Sequence, residues 1–220
     1  MLGLYSIGYR LPISRDYDFM RKDIRLSEIQ TLTKASSLTK DRSRLSSGIA
    51  VLDTALGGGL VKGELSEWGL VPGKNGLQVI IQFLKARPLC LWVYQQADYS
   101  VYPPSWHSQG LDLEQIYFVR CHKPFQELRP IFLEPLFDLI IFDRLPFFKP
   151  EDYAFLASKA RVLQAHILII TPFLLKNTLG SAHIRLRVNA YCDFFRRYFC
   201  VHRVKGLQQE KLTFSLPGLL

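Results

Sequence analysis

Apolar positions along this chain follow two spacings, one typical of buried strands and one typical of amphipathic helices. Short apolar runs of strand length recur at 65–70, 89–94, 116–120, 137–143 and 166–172. The run FDLIIFD and the run HILIITP are almost wholly apolar, as is typical of strands buried on both faces of a parallel sheet. Segments with helical spacing lie between the runs, at 49–56, 77–86 and 150–164. This alternation predicts an α/β doubly wound fold with a mostly parallel central sheet.

The pattern changes at both ends of the chain. HIRLRV, RYFCVHRV and KLTFSLP, after residue 180, are strand-like with no helix between them, which predicts antiparallel strands added at the sheet's edge. Residues 1–45 are polar, basic and rich in serine and threonine, which indicates one helix and a flexible linker. We therefore expect three segments: a basic N-terminal arm at 1–45, a core at 46–180 and a C-terminal β-hairpin extension at 181–220.

Composition narrows the class of protein. At 220 residues and 48% hydrophobic, the chain has enough apolar material for a globular core. It has no apolar run of about eighteen residues and no signal-peptide pattern, so we expect a cytoplasmic protein with no membrane partner. The four cysteines form no C-x-x-C pair and the five histidines are scattered. These spacings predict buried free thiols and no metal site.

Positive charge is concentrated at the two ends of the chain. The net charge is +9, of which 1–45 carries +4 and 176–220 carries +6, while 46–175 carries −1. Basic ends suit nucleic acid or an acidic partner, and a solvated basic face is an equally good interpretation of charge alone. The candidate DNA or partner contacts are Arg185, Arg187, Arg196, Arg197, Arg203 and Lys205.

Two features of these basic residues bear on DNA binding. Arg185 and Arg187 are expected to share one face of a strand, since side chains alternate with a period of two. Arg196 and Arg197 lie among Phe194, Phe195 and Tyr198. Interleaved basic and aromatic groups are suited to phosphate contacts with base stacking. The alternative is an aromatic set that faces the core, with solvated arginines opposite.

The stretch WGLVPGKNGLQVI, at 68–80, stands between a strand and a helix, where a phosphate-binding loop occurs. Such a loop reads G-x-x-x-x-G-K-[ST], and its hydroxyl ligates Mg²⁺. If Gly73 and Lys74 are the G-K pair, the loop from Gly69 is one residue short and Asn75 replaces the hydroxyl. If Gly73 is instead a mid-loop glycine, Gly76 occupies the lysine position. Either alignment lacks the hydroxyl, so a strand-to-helix turn that keeps its glycines for geometry explains the stretch better.

A nucleotide site also needs an acid that supports the metal ion and a carboxylate that activates water, and both are expected at the ends of neighbouring strands. Asp143 ends an apolar strand where a metal-supporting acid belongs, but Gln95 and Gln96 stand where a water-activating carboxylate is needed. We expect a degenerate nucleotide site without catalytic residues, an inactive ATPase relative with no cofactor. Residual ATP binding through backbone amides is the open alternative. The positions of this site are Gly69, Gly73, Lys74, Asn75, Gly76, Gln96 and Asp143.

Two segments carry a resemblance to known proteins. SSGIAVLDTALGGGLVKGELSEWG, at 46–69, resembles the entry to the RecA-type recombinase core, where S-G-x-x-x-L-D-x-x-L-G-G-G-x-x-x-G precedes the phosphate loop. VYPPSWHSQGLDLEQIYFVR, at 101–120, is similar to ImuA-like mutagenesis proteins in its Y-P-P, G-L-D and V-R elements. The resemblance implies a RecA-type P-loop NTPase-like core with a C-terminal antiparallel β extension.

The resemblance to ImuA also implies a function. ImuA-like proteins belong to the SOS response to DNA damage, where they accompany an ImuB-type partner and an error-prone DNA polymerase in translesion synthesis. The implied role is that of a non-catalytic accessory protein that acts through contacts with those proteins and with RecA. Two alternatives remain. One is an ATP-dependent DNA-binding recombinase-like enzyme that uses Lys74 and Asp143, and the other is an SOS cell-division inhibitor with a RecA-like fold.

Overall fold

The computed structural model describes residues 43–95, 103–145, 148–177 and 180–216. The helix and linker predicted for the N-terminal arm, up to residue 42, lie outside these ranges, as does Gln96. The strands within the described ranges are β1 (Arg44–Leu45), β2 (Leu60–Val61), β3 (Leu65–Gly69), β4 (Cys90–Tyr94), β5 (Ile116–Arg120), β6 (Leu139–Asp143), β7 (His166–Thr171), β8 (Ile184–Asp193), β9 (Tyr198–Lys205) and β10 (Lys211–Phe214). The helices are α1 (Ala50–Ala55), α2 (Leu77–Lys85), α3 (Pro103–His107), α4 (Pro124–Glu127) and α5 (Pro150–Leu163).

Eight strands form one sheet in the order β10-β9-β8-β3-β7-β6-β4-β5. The six strands from β8 to β5 in that order are mutually parallel, whereas β9 and β10 are antiparallel additions. The predicted mixed α/β fold, with a mostly parallel central sheet and a C-terminal antiparallel hairpin, is therefore confirmed. One expectation differs. Strand β8 is not an antiparallel edge strand, because it pairs parallel with β3 over the whole length of β3.

Hydrogen bonds and close packing explain why particular residue types occur in the S-G-x-x-x-L-D-x-x-L-G-G-G segment, which opens the core. The Asp53 carboxylate accepts from the N–H and the Oγ of Ser47, both at 2.7 Å, and so ties the turn before α1 to the helix. Leu52 is fully buried on that helix. Gly59 has a φ of +114°, and a Cβ there would lie 2.2 Å from the carbonyl oxygen of Leu45. The segment thus folds back on β1 with no space for a side chain at that glycine.

Two apolar layers cover the two faces of the sheet. The first contains α1, α2 and α3 and is centred on Trp68 and Trp92, both fully buried. Trp106 of α3 packs edge-on against Trp92, with ring centroids 4.8 Å apart. The second layer contains α5 and the segment from α4 through the 3₁₀ turn at Arg129–Phe132. Helices on both faces of a parallel sheet explain why its central strands are apolar on both sides.

A buried polar chain joins β3 to β7 inside this core. His166 Nδ1 donates to the carbonyl oxygen of Val61 at 2.8 Å, and its Nε2 accepts from Ser66 Oγ at 2.7 Å. Ser66 Oγ in turn accepts from Trp68 Nε1 at 3.1 Å. Complete burial lowers the pKa of His166 to about 4, because the charged imidazolium is penalised away from water. The neutral ring therefore serves as a fully bonded structural group of the core.

Among the helices in the described ranges, none is long and apolar enough to cross a membrane.

Candidate functional site

The carboxyl ends of the parallel strands bring together most of the residues predicted for a nucleotide site. Gly69 ends β3 and lies opposite Thr171 of β7, while Asp143 ends β6 beside Tyr94 of β4. Ligands of open α/β sheets bind in crevices at this edge. The predicted positions thus lie at the carboxyl ends of the parallel strands, and the local packing decides what that end of the sheet can hold.

The loop that follows β3 is a compact turn tied to its own sheet. Lys74 N donates to Val71 O at 3.2 Å, and Gln78 N donates to Asn75 O at 3.2 Å as α2 begins. The carbonyl oxygen of Lys74 accepts from Cys192 N of β8 at 2.6 Å. The Lys74 side chain itself is exposed to solvent. The loop backbone is therefore oriented by β8, which is the strand that the sequence had suggested would lie farther out.

Two glycines of the predicted phosphate loop are required by close packing. A Cβ on Gly76 would lie 2.1 Å from the carbonyl oxygen of Ala190, and one on Gly69 would lie 2.2 Å from Asn189 Oδ1 and 2.7 Å from Phe173 O. Neither residue has a positive φ, so conformational freedom is not the reason for glycine. Gly73 is different, with a φ of +74° and open space where its Cβ would be. Protein atoms thus fill the space beside both packed glycines.

The side chain of Asn189 lies beside Gly69 and is hydrogen-bonded to the backbone of Leu175, which follows β7. Its Oδ1 accepts from Leu175 N at 2.7 Å and its Nδ2 donates to Leu175 O at 3.1 Å. The side chain is 9% exposed, so both bonds are shielded from water. We call Asn189 together with Phe173–Leu175 the plug. Sequence reasoning missed the plug, although a lone asparagine within the apolar run RVNAYC was the available signal.

The carboxylate of Asp143 is buried and already has partners. Its Oδ2 accepts from Trp92 Nε1 at 3.1 Å, and its Oδ1 lies 3.5 Å from Arg144 Nε. Only 1% of the residue is exposed. The buried carboxylate therefore has an indole N–H as a hydrogen-bond donor and the Arg144 guanidinium as its counter-charge. Within the described ranges, no group of three or more histidine, cysteine, aspartate or glutamate side chains could hold a metal ion.

The place predicted for a catalytic carboxylate holds an amide. Gln95, at the end of β4, lies with its Nε2 3.1 Å from Nδ1 of His122. This contact is exposed and joins the carboxyl ends of β4 and β5. An amide can orient water but cannot accept its proton. Gln96 lies outside the described residues.

The predicted basic residues do not form one surface. A β-bulge in β8 next to Ile184 breaks the two-residue alternation, so Arg185 is exposed while Arg187 is buried. The expectation that these two arginines share one face is therefore wrong. Arg187 Nε donates to Glu67 Oε2 at 2.6 Å, within a pair that is less than a tenth exposed. Its guanidinium is buried in an ion pair and does not present a charge to DNA or to a partner at the surface.

Arg203 and Lys205 lie near the end of β9. Because β9 is antiparallel to β8, they lie at the amino ends of the parallel strands, opposite to the end that carries the β3 loop. Arg203 Nη1 donates to the carbonyl oxygens of Leu207 and Gln208, at 3.3 and 3.4 Å. These bonds hold the turn between β9 and β10. Arg203 is exposed and Lys205 is partly buried. The two residues are thus separated by the length of β9 from Arg196 and Arg197.

The turn Phe194–Arg197, between β8 and β9, carries the exposed aromatic and basic groups. Phe195 is 96% exposed and Phe194 is 53% exposed, so the interpretation that these rings face the core is wrong. Arg196 Nη1 donates to the hydroxyl of Tyr198 at 3.1 Å, and Arg197 has a φ of +53°. We call Phe194–Arg197 the aromatic–basic turn. It lies at the same end of the strands as the β3 loop, since Cys192 N, just before the turn, donates to Lys74 O in that loop.

Comparison with models of known protein families found no match, and comparison with curated proteins found no relative. The class that the structure itself defines is a mixed α/β protein with a mostly parallel eight-stranded sheet and a C-terminal antiparallel hairpin. The resemblance to RecA and to ImuA-like proteins stays a prediction from the sequence.

Proposed function

We propose that this protein is a non-catalytic, RecA-like accessory protein of SOS-induced translesion synthesis, which acts by contacts with other proteins. Its partners in this proposal are an ImuB-type protein, an error-prone DNA polymerase and RecA. The resemblance of 46–69 to the RecA-type core and of 101–120 to ImuA-like proteins is the basis for the proposed pathway. The structure bears on the non-catalytic part of the proposal.

The observation that supports the non-catalytic part is the close packing against Gly69 and Gly76 of the loop after β3. Phosphate-binding loops work because backbone N–H groups surround an open space at a helix N-terminus. Here the plug lies against Gly69, and Ala190 lies against Gly76, at distances that exclude even a methyl group. Asp143 is paired with Trp92 and Arg144. Contacts with the rest of the protein beside two loop glycines and at Asp143 thus support the proposal of a site without catalysis.

ATP turnover and nucleotide binding test this part directly. We expect the full chain to hydrolyse ATP no faster than a Lys74→Ala variant, with or without single-stranded DNA. We also expect no saturable binding of a fluorescent ATP analogue in the presence of Mg²⁺. Turnover comparable to that of an intact recombinase, abolished by Lys74→Ala, would establish the enzymatic alternative instead.

The aromatic–basic turn is the surface that best fits a partner contact. A phenylalanine that is 96% exposed contributes little to the fold, and aromatic and arginine side chains are enriched in the centres of protein interfaces. We expect Phe195→Ser to leave stability unchanged and to weaken co-purification with an ImuB-type protein. The matched control is Phe199→Ser, at a fully buried position, which should unfold the protein rather than weaken one contact.

A DNA contact at the same turn is the second candidate, favoured by Arg196 and Arg197 beside the two exposed rings. Such a contact combines phosphate neutralisation with base stacking. The expected signature is an affinity for single-stranded DNA that falls steeply with salt and is lost in Arg196→Ala/Arg197→Ala. Absence of DNA binding at low salt would leave the protein contact as the role of the turn. Co-purification with the tubulin-like division protein, without an ImuB-type partner, would favour the division-inhibitor alternative.

A further inference from the structure

A groove of about 320 Å³ opens beyond the carboxyl ends of β5 and β6, away from the β3 loop. Among the described residues, one wall comes from His122–Gln126 after β5, and the other from Leu145 after β6 and from residues 148–152 at the start of α5. We call it the basic groove. Its lining residues are His122, Lys123, Pro124, Phe125, Gln126, Leu145, Phe148, Lys149 and Asp152.

The connections of the sheet produce a crevice at this place. After β4 the chain passes to the first apolar layer, where Trp106 is buried, whereas after β5 and β6 it passes to the second, where Phe132 and Leu156 are buried. The segments that follow β5 and β6 therefore meet on the same face of the sheet, with β4 between the two strands. The Gln95–His122 contact spans the β4–β5 side of this opening. The groove therefore lies between two connections that cover one face of the sheet.

Packed aromatic rings form the base of the groove. Phe148 makes edge-to-face contacts with Phe125, Phe142 and Tyr153, at centroid distances of 5.5, 5.7 and 5.6 Å. Phe125 also packs against Phe155 at 6.0 Å. Phe148 and Phe125 are thus each held by two or more other rings, and the base of the groove is apolar. Rings engaged in this way do not offer a free pair of faces between which a nucleobase can stack.

Positive charge lies on the rim, and the nearby carboxylates are engaged by main-chain N–H groups. Asp152 accepts from Lys149 N at 2.7 Å, and Glu127 accepts from Lys123 N at 2.9 Å. The side chains of Lys123 and Lys149 are exposed. In the part of the chain that the structure describes, no carboxylate lies within ion-pair distance of either ammonium group. The charged lining residues are therefore two lysines, one on each wall, and one aspartate, which gives a net charge of +1.

We propose that the basic groove binds a short acidic peptide segment of a partner protein through one apolar anchor side chain. The volume is at the lower end of the range for ligand sites, about 300–1,000 Å³, which suits one or two inserted side chains rather than a whole cofactor. The apolar base accepts the anchor, and Lys123 and Lys149 pair with carboxylates on either side of it. The proposal concerns charge and shape alone and holds whether or not the protein serves translesion synthesis.

Fluorescence anisotropy with the full chain and three labelled hexapeptides tests the proposal. The probes are EDLFDE, its uncharged counterpart QNLFNQ, and EDSSDE, which keeps the charge but lacks the anchor. We expect EDLFDE to bind at least about tenfold more tightly than either counterpart, with an affinity that falls as salt is raised. Similar binding of EDLFDE and QNLFNQ would overturn the role of the lysines, and similar binding of EDLFDE and EDSSDE would overturn the role of the apolar base.

Charge variants on the rim locate the site. Lys123→Glu/Lys149→Glu should weaken EDLFDE binding about tenfold or more, whereas Lys211→Glu, an exposed position on the far edge strand β10, should change it by less than about twofold. Gln126→Lys should strengthen binding and Gln126→Glu should weaken it, since both change only an exposed rim side chain. Undetectable binding, equal effects of the Lys123/Lys149 and Lys211 variants, or displacement of the peptide by a mononucleotide would each refute the proposal.

Discussion

The side chain of Asn189 makes a sharp test of how the site after β3 is built. Asn189→Ala removes an amide that is 9% exposed and that bonds to both backbone groups of Leu175. A buried backbone group left without a partner costs about 1–3 kcal/mol. Both the N–H and the carbonyl oxygen of Leu175 lose their partner. Water that enters the vacated space replaces part of the lost hydrogen bonding. We therefore expect the free energy of unfolding to fall by about 2–4 kcal/mol.

Urea unfolding followed by tryptophan fluorescence measures this loss, because Trp68 is fully buried next to Gly69. The matched control is Asn177→Ala, the same change at an exposed position of the loop that contains the plug, which should stay within about 0.5 kcal/mol of the parent. Asn189→Asp should not rescue stability, since a carboxylate oxygen would face the Leu175 carbonyl oxygen. A loss below about 0.5 kcal/mol for Asn189→Ala would refute the argument that the plug is fixed by this side chain.

Three further perturbations test the packing around the sheet. Arg187→Met should cost about 3–5 kcal/mol in urea unfolding, because it leaves Glu67 buried without its cation, and adding Glu67→Leu should restore much of that loss. Gly76→Ala should cost at least about 2 kcal/mol through the backbone clash, whereas Gly73→Ala should cost about 1 kcal/mol, since only its positive φ resists a side chain. The pKa of His166 is lowered to about 4, so between pH 6.5 and 4 the unfolded chain binds a proton that the folded protein does not. The free energy of unfolding should therefore fall by up to about 3 kcal/mol as the pH drops through that window. If the free energy of unfolding of His166→Gln depended on pH with the same slope, the loss could not be due to His166.

Strand and helix positions were largely predictable because each has a local signature. The apolar runs ending at Tyr94, Asp143 and Thr171 became the expected strands, and the helix that begins at Pro150 starts where proline and two acids predict it. The loop after β3 was also placed correctly between strand and helix. These features depend on spacing within about fifteen residues, which a single sequence displays directly.

Partners that are distant along the chain were not predictable in the same way. Alternation in the run HIRLRV suggested an edge strand with two arginines on one face, but parallel pairing with β3 and a β-bulge placed Arg187 beside Glu67. Nothing local distinguishes an arginine that pairs with a residue 120 positions away from one that faces solvent. The sequence also left open whether Phe194 and Phe195 face solvent or the core. The structure exposes both rings, because a hairpin turn can carry apolar side chains outward once the strands on either side are fixed by pairing.

The sequence by itself determined the class of fold, the position of the β3 loop and the absence of a hydroxyl from it, since these follow from residue types and local spacing. Only the tertiary structure decided why Gly69 and Gly76 are glycines and what occupies the space beside them. That space is filled by Asn189, Ala190 and Phe173–Leu175, which the chain brings back more than a hundred residues later. Close packing between segments so far apart depends on the whole sheet, and no local pattern of hydrophobic and polar residues records it.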